Sequence, residues 1–238
     1  MISIVTGTLN RLKLLPDLIQ NTVNSDERLE LVLVDGGSDD GTIEYIKELN
    51  HERIKLIEVG KRSYYSHFMN LGIRNSKFEW VCQWNDDVLL VNSWDEVIKE
   101  LDAEHDFYLF NWKVGSKDDM SNIDWITGSS HPNKNNGGWC ICDEYEKSGE
   151  IVMNYGIYNK KIFREIGMYR DDFKYYFADG DMSRRAHLFE YKHKGLTDIK
   201  VCCLEVDKRA EFTYCVEPYG KCHEEYKGKI LKENIEFL

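Results

Sequence analysis

No uninterrupted apolar run in the 238 residues approaches the length that a membrane-spanning helix needs, so no transmembrane segment is expected. The opening MISIVTGTLN has no basic stretch followed by a long apolar core, so no cleaved leader is expected either. Basic residues are outnumbered: 31 Lys and Arg against 42 Asp and Glu leave a net charge of −11. That balance argues against a nucleic-acid backbone or an anionic membrane surface as the main partner. A small anionic ligand is still admitted, because one bound cation reverses the local field. The seven cysteines, Cys82, Cys140, Cys142, Cys202, Cys203, Cys215 and Cys222, lie at no repeating spacing, and reduced thiols in a cytoplasmic chain are expected. A structural zinc on Cys140 and Cys142 is the lesser alternative, since tetrahedral sites use wider ligand pairs.

The common phosphate motifs are missing too. There is no GxxxxGK[ST] and no GxGxxG after a strand. A calcium loop in register with Gly41 would put Gly36 first and Lys47 twelfth, where carboxylates are needed. A bound diphosphate must therefore be held by something other than a glycine loop. Internal repeats, low-complexity tracts and linkers are also lacking, so one domain over residues 1–238 is expected.

What is present points to an ordered α/β globule, with 42% hydrophobic and 13% aromatic residues. Short β-branched runs at Ile2–Val5, Glu30–Val34, Ile54–Val59 and Glu79–Trp84 read as buried strands. Helical spacing follows each of the first three, from about Leu15 to Val23, over Thr42–Leu49 and over Ser66–Ser76. Pro16 fits only the first turn of its helix. This alternation predicts right-handed crossovers and a mostly parallel central sheet flanked by helices. Further on, a helix is expected near Trp94–Leu101, a strand at Asp106–Trp112, helices at Lys160–Ile166 and Asp181–Tyr191, and a strand at Ile199–Leu204. Val114–Gly138 is polar and aperiodic and reads as a long functional loop.

Ligands of open α/β sheets bind beyond the carboxyl ends of the strands. Thr6, Gly7, Thr8 and Asn10 follow the first strand, Asp35, Gly36, Gly37 and Ser38 the second, and Asn85, Asp86 and Asp87 the fourth. The glycines admit a close backbone approach, and Asp35 can accept hydrogen bonds from ribose hydroxyls or a base edge. Asp39, Asp40 and Thr42 read instead as a turn and helix cap. Asp86 and Asp87 lie against apolar sequence, where charge is costly unless compensated. Paired carboxylates suit a hard divalent cation that takes phosphate oxygens as well. The plainer alternative is a solvated turn.

VDGGSDDGT, MNLGIRNSKFEWVCQWNDD and FADGDMSRR, in that order, resemble the motifs of family 2 glycosyltransferases with the GT-A fold, from about Ile2 to Arg185. The resemblance implies a single Rossmann-like domain. Residues 1–92 would form its nucleotide-binding half, 93–210 its acceptor side and 211–238 a tail. It implies an inverting transfer from a nucleoside-diphosphate sugar, a UDP-sugar being favoured, to a glycan, lipid-linked or protein acceptor hydroxyl, with Mn2+ or Mg2+ as cofactor. Peripheral membrane contact is compatible with it, and no nucleic acid is involved. Thr6, Thr8, Asn10, Asp35, Asn70 and Asp86 would face the nucleotide. Asp87, with Asp86, would hold the metal, and His223 is a further candidate ligand from the tail. Asp179 matches the catalytic base, while Asp181 and Arg185 match the second acidic and the basic positions of the same element. Trp139, Asn154, Tyr155 and Asp181 are the acceptor-side candidates. Two departures stand out: Gly36 replaces a second aspartate, and Ala178 replaces the glutamate before the base. Ala178 keeps open a non-catalytic protein that binds nucleotide sugar or carbohydrate and retains the metal site.

Overall fold

Strand β1 (Ile2–Thr8) is buried from end to end apart from the half-buried Gly7, as its β-branched run requires. It lies parallel between β2 (Leu29–Asp35) and β4 (Trp80–Gln83), and β3 (Ile54–Glu58) extends the parallel set beyond β2. The computed structural model describes residues 1–115, 126–127, 156–171, 178, 181–182, 185–186 and 189–204, with the backbone alone at 111–115, 126–127 and 197. Among these residues the helices are α1 (Leu15–Asn21), α2 (Thr42–Leu49), α3 (Tyr65–Asn75), α4 (Trp94–Lys99) and α5 (Lys160–Glu165). No helix among them is long and apolar enough to cross a membrane.

The second half adds β5 (Val88–Leu90), β6 (Phe107–Gly115), β7 (Ile126–Thr127), β8 (Gly156–Asn159) and β9 (His193–Leu204). The strand order is β3-β2-β1-β4-β8-β6-β9-β5, with β7 beside β6. Most paired positions lie in the parallel ladders, β6 with β9 included; β4–β8, β8–β6, β6–β7 and β9–β5 are antiparallel.

Five details depart from the sequence reading, the first being the four-residue β8, for which no strand was expected. β5 was not anticipated: its three residues pair with β9, far away in the chain. β9 begins at His193 rather than Ile199. β6 runs on to Gly115, and Ile126–Thr127 pair with it, so Val114–Gly138 is not loop throughout. Residues 189–190 are a turn and Tyr191 is not helical, so the helix expected over Asp181–Tyr191 does not reach its predicted end; Ala178 is helical as well.

Local chemistry explains the elements. Pro16 sits in the first turn of α1, where its missing N–H costs nothing. Ser93 and Glu96 form a reciprocal capping box at the start of α4. Gly72 lets α3 lie directly on β1, since a Cβ there would meet Val5 Cγ1 at 2.2 Å. The cores alternate along the strands. Ile2, Ile4, Leu31 and Leu33 join Leu18, Trp84, Trp94 and Phe110 in one cluster. Val5 and Val32 join Met69, Tyr158, Phe163 and Met182 in the other. Neighbouring residues in different clusters mean that the sheet is covered on both faces.

Candidate functional site

A cleft of about 400 Å³ opens where β1, β2 and β4 end, within the range of small-ligand sites. Thr8, Asp35, Asp86 and Asp87 line it, together with the guanidinium-bearing Arg11 and Arg62. Gly36 donates its N–H to the Thr8 carbonyl at 2.9 Å, which ties the first two strand ends together. Gly37 has φ of +92°, and a Cβ there would come within 2.9 Å of the Gly60 backbone, so the two loops meet over glycine alone.

The acidic turn is closed from below. Trp84 is fully buried, donates its backbone N–H to Val5 and its indole N–H to the Val88 carbonyl at 2.9 Å. Its ring packs 5.6 Å from Trp94 and 5.7 Å from Phe110. From the far side the Leu204 N–H bonds the Asp87 carbonyl at 2.7 Å. The turn Asn85–Asp87 is thereby fixed with Asp87 only 7% exposed.

The Thr8 hydroxyl donates to Asp86 Oδ2 at 2.9 Å, and Arg11 Nε lies 4.0 Å from Asp86 Oδ1. Burial, and then the charge of Asp87, push the Asp86 carboxyl up to about 7, against the opposing pull of Arg11 and Thr8. A half-buried carboxyl raised by burial and by the buried carboxylate beside it belongs to an oxygen donor pair that a divalent cation would relieve, so the residues fit Mn2+ or Mg2+. Among the described residues no three acidic, histidine or cysteine side chains gather round one point.

The other sequence candidates are placed differently. Asp35 is fully buried, and its carboxylate accepts from the Gly37 and Ser38 N–H groups at 2.8 and 2.9 Å and from the Ser38 hydroxyl at 2.5 Å. It shapes the loop as well as lining the cleft. Thr6, Asn10 and Asn70 do not line it. The buried Thr6 hydroxyl donates to the Gly7 carbonyl, and Asn10, at φ of +55°, exchanges hydrogen bonds with the loop at Ser38 and Asp39. Asn70 pairs with the backbone of Tyr169 through both ends of its amide. Asp40 accepts from the Thr42 and Leu12 N–H groups, the turn-and-cap role expected of it.

Asp181 is fully buried away from the cleft, 2.9 Å from Arg185 Nη2 and 4.0 Å from Arg170 Nη1. Ala178 is 3% exposed within the second core cluster. Asp179, Trp139, Asn154, Tyr155 and His223 lie outside the described residues. The sequence reading passed over Arg11 and Arg62; a cation within a few residues of a strand end was the available signal.

A profile described as "Glycosyl transferase family 2" matches residues 3–178. None of the curated proteins matches the chain significantly. Among solved structures, the mannosyltransferase PcManGT from Pyrobaculum calidifontis, in complex with GDP-Man and Mn2+, is similar at 19% identity and a TM-score of 0.59, over 87% of this chain and 57% of that one. TarS residues 1–349 from S. aureus with UDP-GlcNAc is similar at 14% identity and a TM-score of 0.64, over 91% and 62% respectively. The same TarS fragment with UDP gives 15% identity and 0.59, over 86% and 60%. This chain thus spans about three fifths of those neighbours' lengths. At these identities the likeness is one of fold, and that fold is GT-A.

Proposed function

The chain belongs to glycosyl transferase family 2, and from that premise we propose that it moves a sugar from a nucleoside-diphosphate donor to an acceptor hydroxyl, with inversion and with a divalent metal. The observation that carries this reading is the Asp86–Asp87 pair, Asp87 buried and Asp86 half-buried, lining one cleft at the strand ends together with Arg11 and Arg62. Asp87 and Asp86 would hold Mn2+ or Mg2+, which when bound supplies Lewis-acid stabilisation of the departing diphosphate. A metal in the PcManGT complex supports that part. Arg11 and Arg62 oppose the remaining phosphate charge, and Thr8 orients the Asp86 carboxylate by its hydrogen bond. The buried Asp35 turn presents its loop to ribose and base. Asp179 takes the proton from the acceptor hydroxyl, a contribution of about 10²–10⁴-fold for a positioned general base. A UDP-sugar is the favoured donor; GDP-Man in one neighbour and UDP-GlcNAc in another make the nucleotide the first thing to measure. The buried thiols of Cys82, Cys202 and Cys203, none of them in a disulfide, fit a cytoplasmic location.

The test is calorimetric binding of UDP, GDP, dTDP and CDP, each with and without Mn2+. Binding of one diphosphate that requires the metal is the expected result; absence of metal-dependent binding for all four would sink the proposal. A second reading, a binding protein without turnover, is favoured by Ala178, whose place in an apolar cluster has no carboxylate to support a neighbouring base. Release of diphosphate from bound nucleotide sugar separates the two.

A further inference from the structure

The turn that follows α5 is held from three sides. Arg185 donates through Nη1 to the carbonyls of Ile166 (2.5 Å) and Gly167 (3.3 Å), and through Nη2 to that of Met168 (2.9 Å). Its Nε also donates to the buried Asp181 carboxylate at 2.9 Å, so the helical residues Asp181 and Arg185 are tied to the turn. Next along the chain, the buried Asn70 amide on α3 donates to the Tyr169 carbonyl at 2.7 Å and accepts from the Tyr169 N–H at 2.9 Å. The two ends of one side-chain amide thus do what a neighbouring strand would do. Finally, the Tyr169 hydroxyl donates to Gln83 Oε1 at 2.5 Å, at the last residue of β4 and just before the acidic turn. The Tyr169 ring is 2% exposed and packs edge-on to Tyr65 at 5.6 Å and against Phe163 at 5.9 Å.

All of these links but the exposed bond to Gly167 are buried or half-buried, and all but Arg185–Asp181 join segments well separated in sequence, the Asn70 and Gln83 links by 99 and 86 residues. From this we infer that Asn70 and Tyr169 are positioning residues: they set the helix bearing Asp181 and Arg185 at a fixed distance from the Asp86–Asp87 rim. Asn70 acts through Tyr169 rather than on a nucleotide, which its absence from the cleft wall supports. The inference rests on the transferase reading and adds to it a residue role on the acceptor side. Placement errors on the order of 1 Å can cost about 100-fold in rate, so a latch of this kind shows in turnover before it shows in nucleotide affinity.

The test uses the full chain with two variants, Asn70→Ala and the milder Tyr169→Phe, which loses only the hydroxyl bond to Gln83. Calorimetry with UDP and Mn2+ is paired with steady-state release of UDP from UDP-N-acetylglucosamine into water. The expected result is a UDP Kd within about twofold of wild type and an unchanged KM for both variants. kcat should fall by about tenfold or more for Asn70→Ala and by a smaller factor for Tyr169→Phe. Parallel loss of UDP affinity and turnover would return Asn70 to the nucleotide subsite and overturn the latch. Unchanged kcat in Tyr169→Phe would overturn it as well, without touching the transferase reading. Where a diphosphate other than UDP binds the wild type, the same comparison is made with that nucleotide and its sugar; a wild type that binds none of UDP, GDP, dTDP and CDP with Mn2+ overturns the transferase reading, and the latch's role falls with it.

Discussion

Asp86 is protonated more readily in the folded protein than in the unfolded chain, since burial and Asp87 push its carboxyl up to about 7. The folded state therefore binds a proton that the unfolded state has already lost above about pH 4. The stability tied to that proton is present at low pH and is lost as pH rises through about 7. In metal-free protein, urea-unfolding free energy should fall between pH 5 and pH 8, with Asp86 contributing up to about 3 kcal/mol of that fall. Asp86→Asn keeps an acceptor for the Thr8 hydroxyl and removes the charge, so it should be flatter over this range and more stable than wild type at pH 8. Equal slopes for the two proteins would refute the account. The same residue scale shows what sequence reading could and could not reach. Thr8, Asp35, Asp86 and Asp87 were placed together because they follow strand ends, a purely local rule. Asn70 and Asp181 were read as ligand contacts on the resemblance; Tyr169 comes to Asn70 only through the fold, whereas Arg185, four residues after Asp181, is a partner that helical spacing already offered.

At the scale of elements, α3 owes its position to one missing methyl. A Cβ at Gly72 would come within 2.2 Å of Val5 Cγ1 and 3.4 Å of Val34 Cγ2, so the helix cannot keep its seat on β1 and β2. Gly72→Ala should destabilise by about 1–3 kcal/mol in chemical denaturation even though alanine is the better helix former. Combining it with Val5→Ala should cost less than the sum of the two single changes, and strict additivity would count against the steric account. The elements themselves were legible where signals are local. Thr42–Leu49 forms the expected helix end to end, and β1 to β4 lie within a few residues of their apolar runs. β5 was missed because three residues in a strand against β9 leave no periodicity to read. The same holds for β8, four residues whose partners β4 and β6 lie elsewhere in the chain.

For the molecule as a whole, one sheet serves both halves, and Cys82 on β4 and Cys203 on β9 share a single core cluster. Both are buried, so neither thiol should react with iodoacetamide in the native protein. Under increasing urea, peptide mapping should show the two becoming labelled with one midpoint. Separate midpoints would mean that the parallel half and the β6–β9 half unfold on their own. The bond from the Leu204 N–H to the Asp87 carbonyl adds a consequence in time rather than space. Its two residues emerge from synthesis far apart, and closing so long a loop is slow compared with pairing neighbouring strands. A nascent chain that ends before β9 can already pair β1 with β2, β3 and β4, yet its acidic turn still lacks one of its two clamps. The cleft is thus finished late in folding, after the strands that frame it have been made.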